Sequence, residues 1–237
     1  MTAPRRRAGT VRALTLDLDD TLWPVWPTIQ RAERELHDWL SQHAAPTAER
    51  FDVGALRGLR EAVARDHPEW RHDFSRMRHE SLVRALTLAG DDAALADPAF
   101  SVFLAARNRV ELFDDALPVL AALAARWPIV AVTNGNADLH GIGLAGHFVA
   151  SVSAREFGVA KPDARIFHEA CRRLGALPQE VLHIGDDWAL DVVGAHGAGL
   201  RTAWLRRGEE AAPSTDGTVA PDCIVRDLHE LLTWLDA

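Results

Sequence analysis

The residues of this chain that are best suited to chemistry are acids, and they fall in two clusters far apart in the sequence. The first cluster contains Asp17 and Asp19, and the second contains Asp186 and Asp187. Carboxylates that converge repel one another unless a cation lies between them, and a set of oxygen ligands favours Mg²⁺. If the fold brings the two clusters together, the sequence therefore predicts a magnesium site.

Three other residues could bind an anion beside such a metal. Lys161 is the only lysine among 26 basic residues, so we expect it at a position where the wide planar fork of arginine does not fit. Thr133 offers a hydroxyl, and the backbone N–H groups near Asn134 and Gly135 could face an anion at the start of a helix. Lys161 and the cation would neutralise an incoming phosphate that the acids alone would repel.

These groups together indicate phosphoryl transfer. A carboxylate can attack phosphorus and form an acyl phosphate, which water then cleaves. A second carboxylate two residues along the chain, as Asp19 is from Asp17, can donate a proton to the leaving alcohol and then accept one from the attacking water. For each residue taken alone the alternative is structural, because an Asp or Thr at the end of a strand often belongs only to a turn.

The polar clusters follow short apolar runs of the kind that form buried strands. Such runs occupy residues 11–16, 128–132, 148–152, 181–184 and 201–205. Most are separated by segments with helical periodicity, such as 117–127 and 164–174, and this alternation predicts a parallel sheet with right-handed crossovers. Ligands bind outside the carboxyl ends of the strands in such a sheet, so we expect the polar clusters to meet at one edge.

A long segment after the first strand has helical patterns and no convincing strand. The patterns cover 28–40, 53–65, 74–88 and 100–110, and Pro46, Pro68 and Pro98 fall between them, where they would break continuous helices. We therefore predict an α/β, Rossmann-like parallel sheet core formed by residues 1–22 and 113–237. An all-helical cap domain formed by residues 23–112 is inserted into it.

The composition narrows the class of protein. Hydrophobic residues make up 48% of the chain and charged residues 25%, as in soluble globular proteins, and a net charge of −8 argues against a nucleic-acid partner. The two cysteines lack metal-ligand spacing, and no apolar stretch is long enough to span a membrane. We therefore expect a cytoplasmic location. We also expect a disordered arm at the arginine run 5–7 and a surface loop at 208–221. The oligomeric state stays open.

Four ordered motifs resemble those of the haloacid dehalogenase superfamily. They are DLDDT at 17–21, TNGN at 133–136, KPD at 161–163 and GDDWALD at 185–191. The resemblance covers essentially the whole chain, and the helical insertion resembles the helical, C1-type cap of that superfamily.

The resemblance implies a role for each motif residue. Asp17 would be the nucleophile and a metal ligand, and Asp19 would be the acid/base and would give the metal its backbone carbonyl. Asp186 would be the third protein ligand of Mg²⁺, while Thr133, Asn134 and Lys161 would bind the phosphate. Two roles stay open for Asp191, which could lie in the outer metal shell or pair with Lys161. Two roles also stay open for Asp187, which could cap a helix or lie in the outer metal shell.

A finer resemblance is to the bacterial branch that dephosphorylates FMN and the riboflavin precursor 5-amino-6-(5-phosphoribitylamino)uracil. It lies in ALTLDLDDTLWP, WPIVAVTNGNADL, LHIGDDWALDVVGA and the segment 70–82. Trp23 and Trp26 could stack on a flat ring, with hinge packing as the alternative. Arg76 and Arg78 could bind ring carbonyls and ribityl hydroxyls, with an exposed charged helix face as the alternative.

Three functional hypotheses follow. The first is a Mg²⁺-dependent phosphatase acting on a small phosphorylated metabolite. The second is another chemistry of the superfamily, a phosphomutase or a dehalogenase. The dehalogenase branch needs no metal and lacks the second aspartate, so Asp19 counts against a dehalogenase. A phosphomutase must protect its phosphoaspartate from water, and nothing in the cap indicates such protection. The third is a catalytically idle scaffold protein, which would be expected to have lost at least one acid, and none is missing.

Overall fold

The computed structural model of the protein describes residues 11–208 and 219–237. The expected arm at 5–7 and most of the expected loop at 208–221 lie outside the described residues. The chain divides into two compact units, and the first consists of Met1–Pro24, Leu112–Gly135 and Gly143–Ala237. The second consists of Val25–Glu111 and Asn136–Ile142, so it begins at residue 25 rather than the predicted 23 and includes a short segment that we did not predict.

The first unit is built on a parallel sheet, which confirms the predicted α/β fold class. Its strands within the described residues are β1 (Ala13–Leu16), β2 (Ile129–Thr133), β3 (Ala150–Ser153), β4 (Val181–Gly185), β5 (Arg201–Leu205) and β6 (Cys223–Val225). They lie in the order β3-β2-β1-β4-β5-β6, and every neighbouring pair is parallel. Five of them match the predicted runs, whereas β6 was not predicted.

The register of the central strands explains why the polar clusters share one edge. Every residue of β1, β2 and β4 is buried, as expected for strands covered on both faces. Leu16, the last residue of β1, lies opposite Ile184 of β4 and Ala131 of β2. The three strands therefore end at nearly the same level, and the residues that follow them gather beyond their carboxyl ends.

The α-helices of the described residues are numbered in chain order. They are α1 (Val25–His43), α2 (Ala45–Arg50), α3 (Val53–Asp66), α4 (Phe74–Ala89), α5 (Ala96–Arg107), α6 (Ala116–Ala124), α7 (Leu139–Ile142), α8 (Ala154–Phe157), α9 (Ala164–Leu174), α10 (Gly194–Gly197) and α11 (Leu228–Leu235). Helices α1 to α5 and α7 belong to the second unit, and the others to the first. No helix in the described ranges has the length and apolar character needed to cross a bilayer.

The second unit is helical and has its own hydrophobic core. Leu36 of α1, Leu82 of α4 and Phe103 of α5 are among the buried residues of that core. Our prediction that Pro98 separates two helices is wrong, because it is the third residue of α5. A proline is tolerated there, since an N–H group in the first turn of a helix has no intrahelical partner to lose.

Candidate active site

The loop after β1 forms a tight turn that carries the first two acids. The N–H of Asp17 donates to the carbonyl of Ile184 at 2.9 Å, which fixes Asp17 at the end of the strand. The N–H of Leu22 then donates to the carbonyl of Leu18 at 2.8 Å, and Asp20 adopts the left-handed conformation with φ 57°. Asp is one of the residue types that tolerate this conformation. The turn leaves Asp17 buried and Asp19 partly exposed.

Lys161 lies between two carboxylates at the same edge. Its buried Nζ donates to Oδ1 of Asp17 at 2.5 Å and to Oδ1 of Asp191 at 2.6 Å. Burial alone would lower the pKa of Lys161, but the two carboxylates more than offset this and raise that pKa above its ordinary value. Lys161 is therefore a fixed cation, and of the two roles left open for Asp191 the contacts favour that of its partner.

Asn134 holds the loop that carries Lys161. The Oδ1 of Asn134 accepts from the backbone N–H of Lys161 at 2.8 Å, and its Nδ2 donates to the carbonyl of the same residue at 3.0 Å. Both polar atoms of the Asn134 side chain are thus engaged with the Lys161 backbone, whereas our prediction of an anion contact concerns the backbone N–H groups near Asn134 and Gly135. Thr133 is buried at the end of β2, and its hydroxyl oxygen accepts from the N–H of Gly135 at 2.9 Å.

Three donors fix the orientation of the Asp191 carboxylate. Its Oδ1 accepts from Lys161 and from Nε2 of His183 at 3.0 Å, and its Oδ2 accepts from the N–H of Asp187 at 3.0 Å. Burial would raise the pKa of Asp191, but Lys161 and His183 hold it below its ordinary value. Since a carboxylate only accepts, Nε2 of His183 carries a proton, and burial lowers the pKa of His183 and so favours the neutral ring. In the neutral ring Nδ1 accepts from the hydroxyl of Thr15 at 2.9 Å.

The backbone after β4 brings Asp191 back over the end of the strand. Asp187 caps a π-helical turn, Trp188–Val193, and its Oδ1 accepts from the N–H groups of Ala189 and Leu190 at 2.8 Å each. Gly185 lies under the returning carboxylate, and a Cβ at this position would be 2.3 Å from Cγ of Asp191. Only glycine permits this approach, which explains the Gly that begins the GDDWALD motif.

Asp186 completes a cluster of three carboxylates. Ligand oxygens of Asp17, Asp186 and Asp191 all lie within 4.8 Å of one another. Burial, followed by the charge of Asp191, raises the pKa of Asp186 to about 7. Burial also raises the pKa of Asp17, where the charges of Asp191 and Asp186 act in the same direction and Lys161 opposes them. Asp17 and Asp186 thus resist ionisation beside the ionised Asp191, which is the electrostatic condition that a bound cation relieves.

Three residues missed in the sequence support Asp186 and its neighbours. The hydroxyl of Thr21 donates to Oδ1 of Asp186 at 3.1 Å, and the indole N–H of Trp204 donates to the backbone carbonyl of Asp186 at 2.8 Å. Thr21 stands in the DLDDT motif, so a signal for it was present. Arg207 donates to the Thr21 carbonyl at 2.9 Å and to Asp115 at 3.0 Å, and nothing in the sequence distinguishes it from the other arginines.

The residues predicted to contact a substrate ring have varied surroundings. Trp23 is fully buried, and its Nε1 donates to Oδ1 of Asp19 at 2.8 Å. This corrects the stacking prediction for Trp23, since no ring face is exposed. Trp26 is 49% exposed. The guanidinium of Arg57 lies over the Trp26 ring, 4.9 Å from the ring centroid.

The two arginines of α4 also differ from each other. Arg76 is exposed, and its guanidinium lies 4.0 Å from the ring centroid of Trp70. Arg78 is buried, donates to Glu33 at 3.2 Å and lies over the ring of Phe103 at 3.7 Å. Arg78 is therefore part of the interior of the second unit, which corrects the prediction that it offers donors to a substrate.

Comparison with known proteins agrees with the motifs. Residues 11–199 match the family of haloacid dehalogenase-like hydrolases. The chain is 37% identical, over 85% of its length and 86% of the other protein, to the 5-amino-6-(5-phospho-D-ribitylamino)uracil phosphatase YigB of Escherichia coli. It is 31% identical, over 93% of its length and 98% of the other protein, to the phosphoserine phosphatase of Thermus thermophilus.

The fold is also similar to that of solved structures. One, described as a 2-haloacid dehalogenase from Pseudomonas syringae pv. tomato DC3000, superposes with a TM-score of 0.88 at 35% identity. The superposition covers 95% of this chain and 98% of the other. The resemblance drawn from the four motifs is thereby confirmed at the level of the family.

Proposed function

The chain belongs to the haloacid dehalogenase-like hydrolases, and on that premise we propose that it is a Mg²⁺-dependent phosphatase acting on small phosphomonoesters through a phosphoaspartate at Asp17. The observation that carries the proposal is the convergence of Asp17, Asp186 and Asp191 around the ammonium of Lys161. This cluster lies beyond the carboxyl ends of parallel strands, where open α/β sheets bind their ligands.

The donor set supports magnesium as the metal. Three ionised carboxylates would exceed the charge of Lys161 by two, and burial together with the neighbouring carboxylates raises the pKa values of Asp17 and Asp186. The ligands on offer are oxygens, which suit Mg²⁺ better than softer metals. We propose that Asp17 and Asp186 hold the ion with the backbone carbonyl of Asp19, whereas both oxygens of Asp191 are engaged by protein donors. When bound, the ion would neutralise the carboxylates and polarise the phosphoryl oxygens.

The side chains divide the reaction among them. A carboxylate oxygen of Asp17 attacks phosphorus, and the bond from phosphorus to the ester oxygen breaks as Asp19 gives that oxygen a proton. Water then attacks the phosphoaspartate, Asp19 takes its proton, and inorganic phosphate leaves with Asp17 regenerated. Lys161 and the groups around Thr133 bind the phosphoryl oxygens, and Asp191 keeps the Lys161 ammonium in place.

The first experiment measures p-nitrophenyl phosphate hydrolysis with Mg²⁺ for the wild type and for Asp17→Asn. We expect the variant to lose turnover by at least about 10⁴-fold, because it lacks the nucleophile. Asp236→Asn makes the same change at an exposed carboxylate paired with Arg126 and should keep wild-type rates. A folded Asp17→Asn protein with wild-type kcat would refute the phosphoaspartate mechanism.

For the substrate we propose a phosphorylated ribityl compound, either FMN or its pyrimidine precursor. The support is the 37% identity to a phosphatase named for that precursor. Trp26 and Arg76 are exposed residues of the second unit, as the proposal requires of groups that contact a substrate. Trp23 and Arg78 are buried and do not support the proposal. Ring stacking worth about 1–3 kcal/mol would raise kcat/KM by about one to two orders of magnitude over a sugar phosphate, at about 1.4 kcal/mol per tenfold.

A panel of FMN, the pyrimidine, sugar phosphates and nucleotides tests this choice, and a preference for a hexose phosphate would remove it. Carbon–halogen hydrolysis is the second candidate, favoured by the 35% identity to a structure described as a 2-haloacid dehalogenase. Asp19 argues against it, so a 2-haloacid in the same panel should not be turned over. We further propose a small phosphorylated metabolite as the partner and the cytoplasm as the location.

A further inference from the structure

The buried Trp23 and the partly exposed Asp19 form a side-chain pair within the turn that follows β1. The indole Nε1 of Trp23 donates to Oδ1 of Asp19 at 2.8 Å, and Trp23 has no exposed surface. The two residues are also joined as an isolated parallel bridge. The N–H of Asp20 donates to the carbonyl of Trp23 at 2.8 Å. Both ends of the contact are therefore fixed to the same short piece of backbone.

We propose that Trp23 is a positioning residue that orients the carboxylate of Asp19 for proton transfer. This rests on the proposed function, in which Asp19 protonates the leaving oxygen. A carboxylate has a broad terminal torsion and turns easily, whereas catalytic groups must stay within narrow limits of direction. An indole N–H can only donate, so the Asp19 carboxylate is always the acceptor in this hydrogen bond. Because the Trp23 ring is buried, it cannot rotate away from the Asp19 carboxylate.

Packing alone does not account for a tryptophan here. A phenylalanine would fill much of the same volume without the N–H group, and the donor is the feature that it would lack. Trp127 offers a comparison in the same unit, because its Nε1 donates at 3.2 Å to the backbone carbonyl of Val11, before β1 begins. Removing the N–H from Trp127 therefore costs one indole hydrogen bond far from Asp19.

The experiment compares Trp23→Phe with Trp127→Phe on two substrates. A nitrophenolate leaves phosphorus without protonation, whereas the alkoxide of glycerol 2-phosphate needs a proton. Because kcat/KM covers the steps up to the phosphoaspartate, it reports protonation of the leaving group. We expect Trp23→Phe to lower kcat/KM about 10–100-fold on glycerol 2-phosphate and less than about threefold on p-nitrophenyl phosphate, a part of the 10²–10⁴-fold that acid–base catalysis supplies. Trp127→Phe should leave both values unchanged.

A double-mutant cycle with Asp19→Asn tests whether Trp23 acts through Asp19. Trp23→Phe should add no further loss once Asp19 is changed, whereas an independent structural effect would add in full. If Trp23→Phe fails to fold, benzothienylalanine at position 23 keeps the ring volume and removes only the N–H. Equal losses on both substrates, or full additivity with Asp19→Asn, would overturn the inference alone. A wild-type protein without phosphatase activity would overturn the proposed function with it.

Discussion

Replacement of Lys161 by arginine keeps the charge and changes only the shape of the cation. The Nζ of Lys161 is buried and lies 2.5 Å from Asp17 and 2.6 Å from Asp191. A guanidinium is longer and planar, so it cannot occupy the same point between two carboxylates. Gly194 shows how tight the adjoining packing is, because a Cβ there would be 2.9 Å from the backbone of Pro162.

The size of the effect follows from these contacts. Forcing extra atoms into a well-packed interior costs about 1–3 kcal/mol. In a chain of this length each kcal/mol of lost stability lowers Tm by about 2–4 °C, so Lys161→Arg should lower Tm by about 2–12 °C. Displacing Asp17 by about 1 Å costs about 10²-fold in rate. We therefore expect Lys161→Arg to remain folded and to lose about 10²-fold in kcat/KM.

The assay measures kcat/KM on p-nitrophenyl phosphate and Tm for Lys161→Arg, Lys161→Met and a control. Lys161→Met leaves two buried carboxylates without their cation and should cost about 3–5 kcal/mol of stability. Arg165→Lys is the control, because the Arg165 side chain is 69% exposed and pairs with Asp163 at the surface. Its stability should stay within about 0.5 kcal/mol of the wild type. An unchanged kcat/KM in Lys161→Arg would show that shape does not select lysine here.

Three further predictions concern the acids. Exhaustive chelation should abolish turnover, and added Mg²⁺ should restore it. Burial raises the pKa of Asp186 to about 7, so this carboxyl is protonated below that pH in the metal-free protein. The apparent Mg²⁺ affinity should therefore weaken as pH falls through 7. A Mg²⁺ affinity that does not vary with pH in titration calorimetry would contradict this. Gly185→Ala would place a Cβ 2.3 Å from Asp191 and should lower kcat/KM at least about 10²-fold in a protein that still folds; wild-type activity would show that Asp191 can move without loss.

The parallel core followed from local sequence signals. Apolar runs that end in polar residues predicted five strands, and β1 to β5 lie where those runs are, with shifts of one or two residues at their ends. The strand β6, Cys223–Val225, was missed because it is only three residues long, and its central residue Ile224 is 56% exposed. The apolar run Cys223–Val225 is too short to indicate a strand in the sequence.

The order of the motifs also predicted which acids would gather. Asp17 and Asp186 closely follow the carboxyl ends of two runs, and Lys161 stands in the loop after the run 148–152. Parallel strands place those ends at one edge, so the three residues could be grouped without knowing any distance. The choice of lysine among arginines pointed to a confined cation, and Lys161 is 4% exposed.

Only the tertiary structure decided what each side chain contacts. Asn134 faces the backbone of Lys161, 27 residues away, and Trp23 and Arg78 are buried although they lie in segments suited to a surface role. Sequence spacing states which residues share an element, but not which of several polar groups at a crowded edge pair with one another. That pairing depends on packing at distances of a few tenths of an ångström, as at Gly185, where the absence of a single carbon gives Asp191 its place.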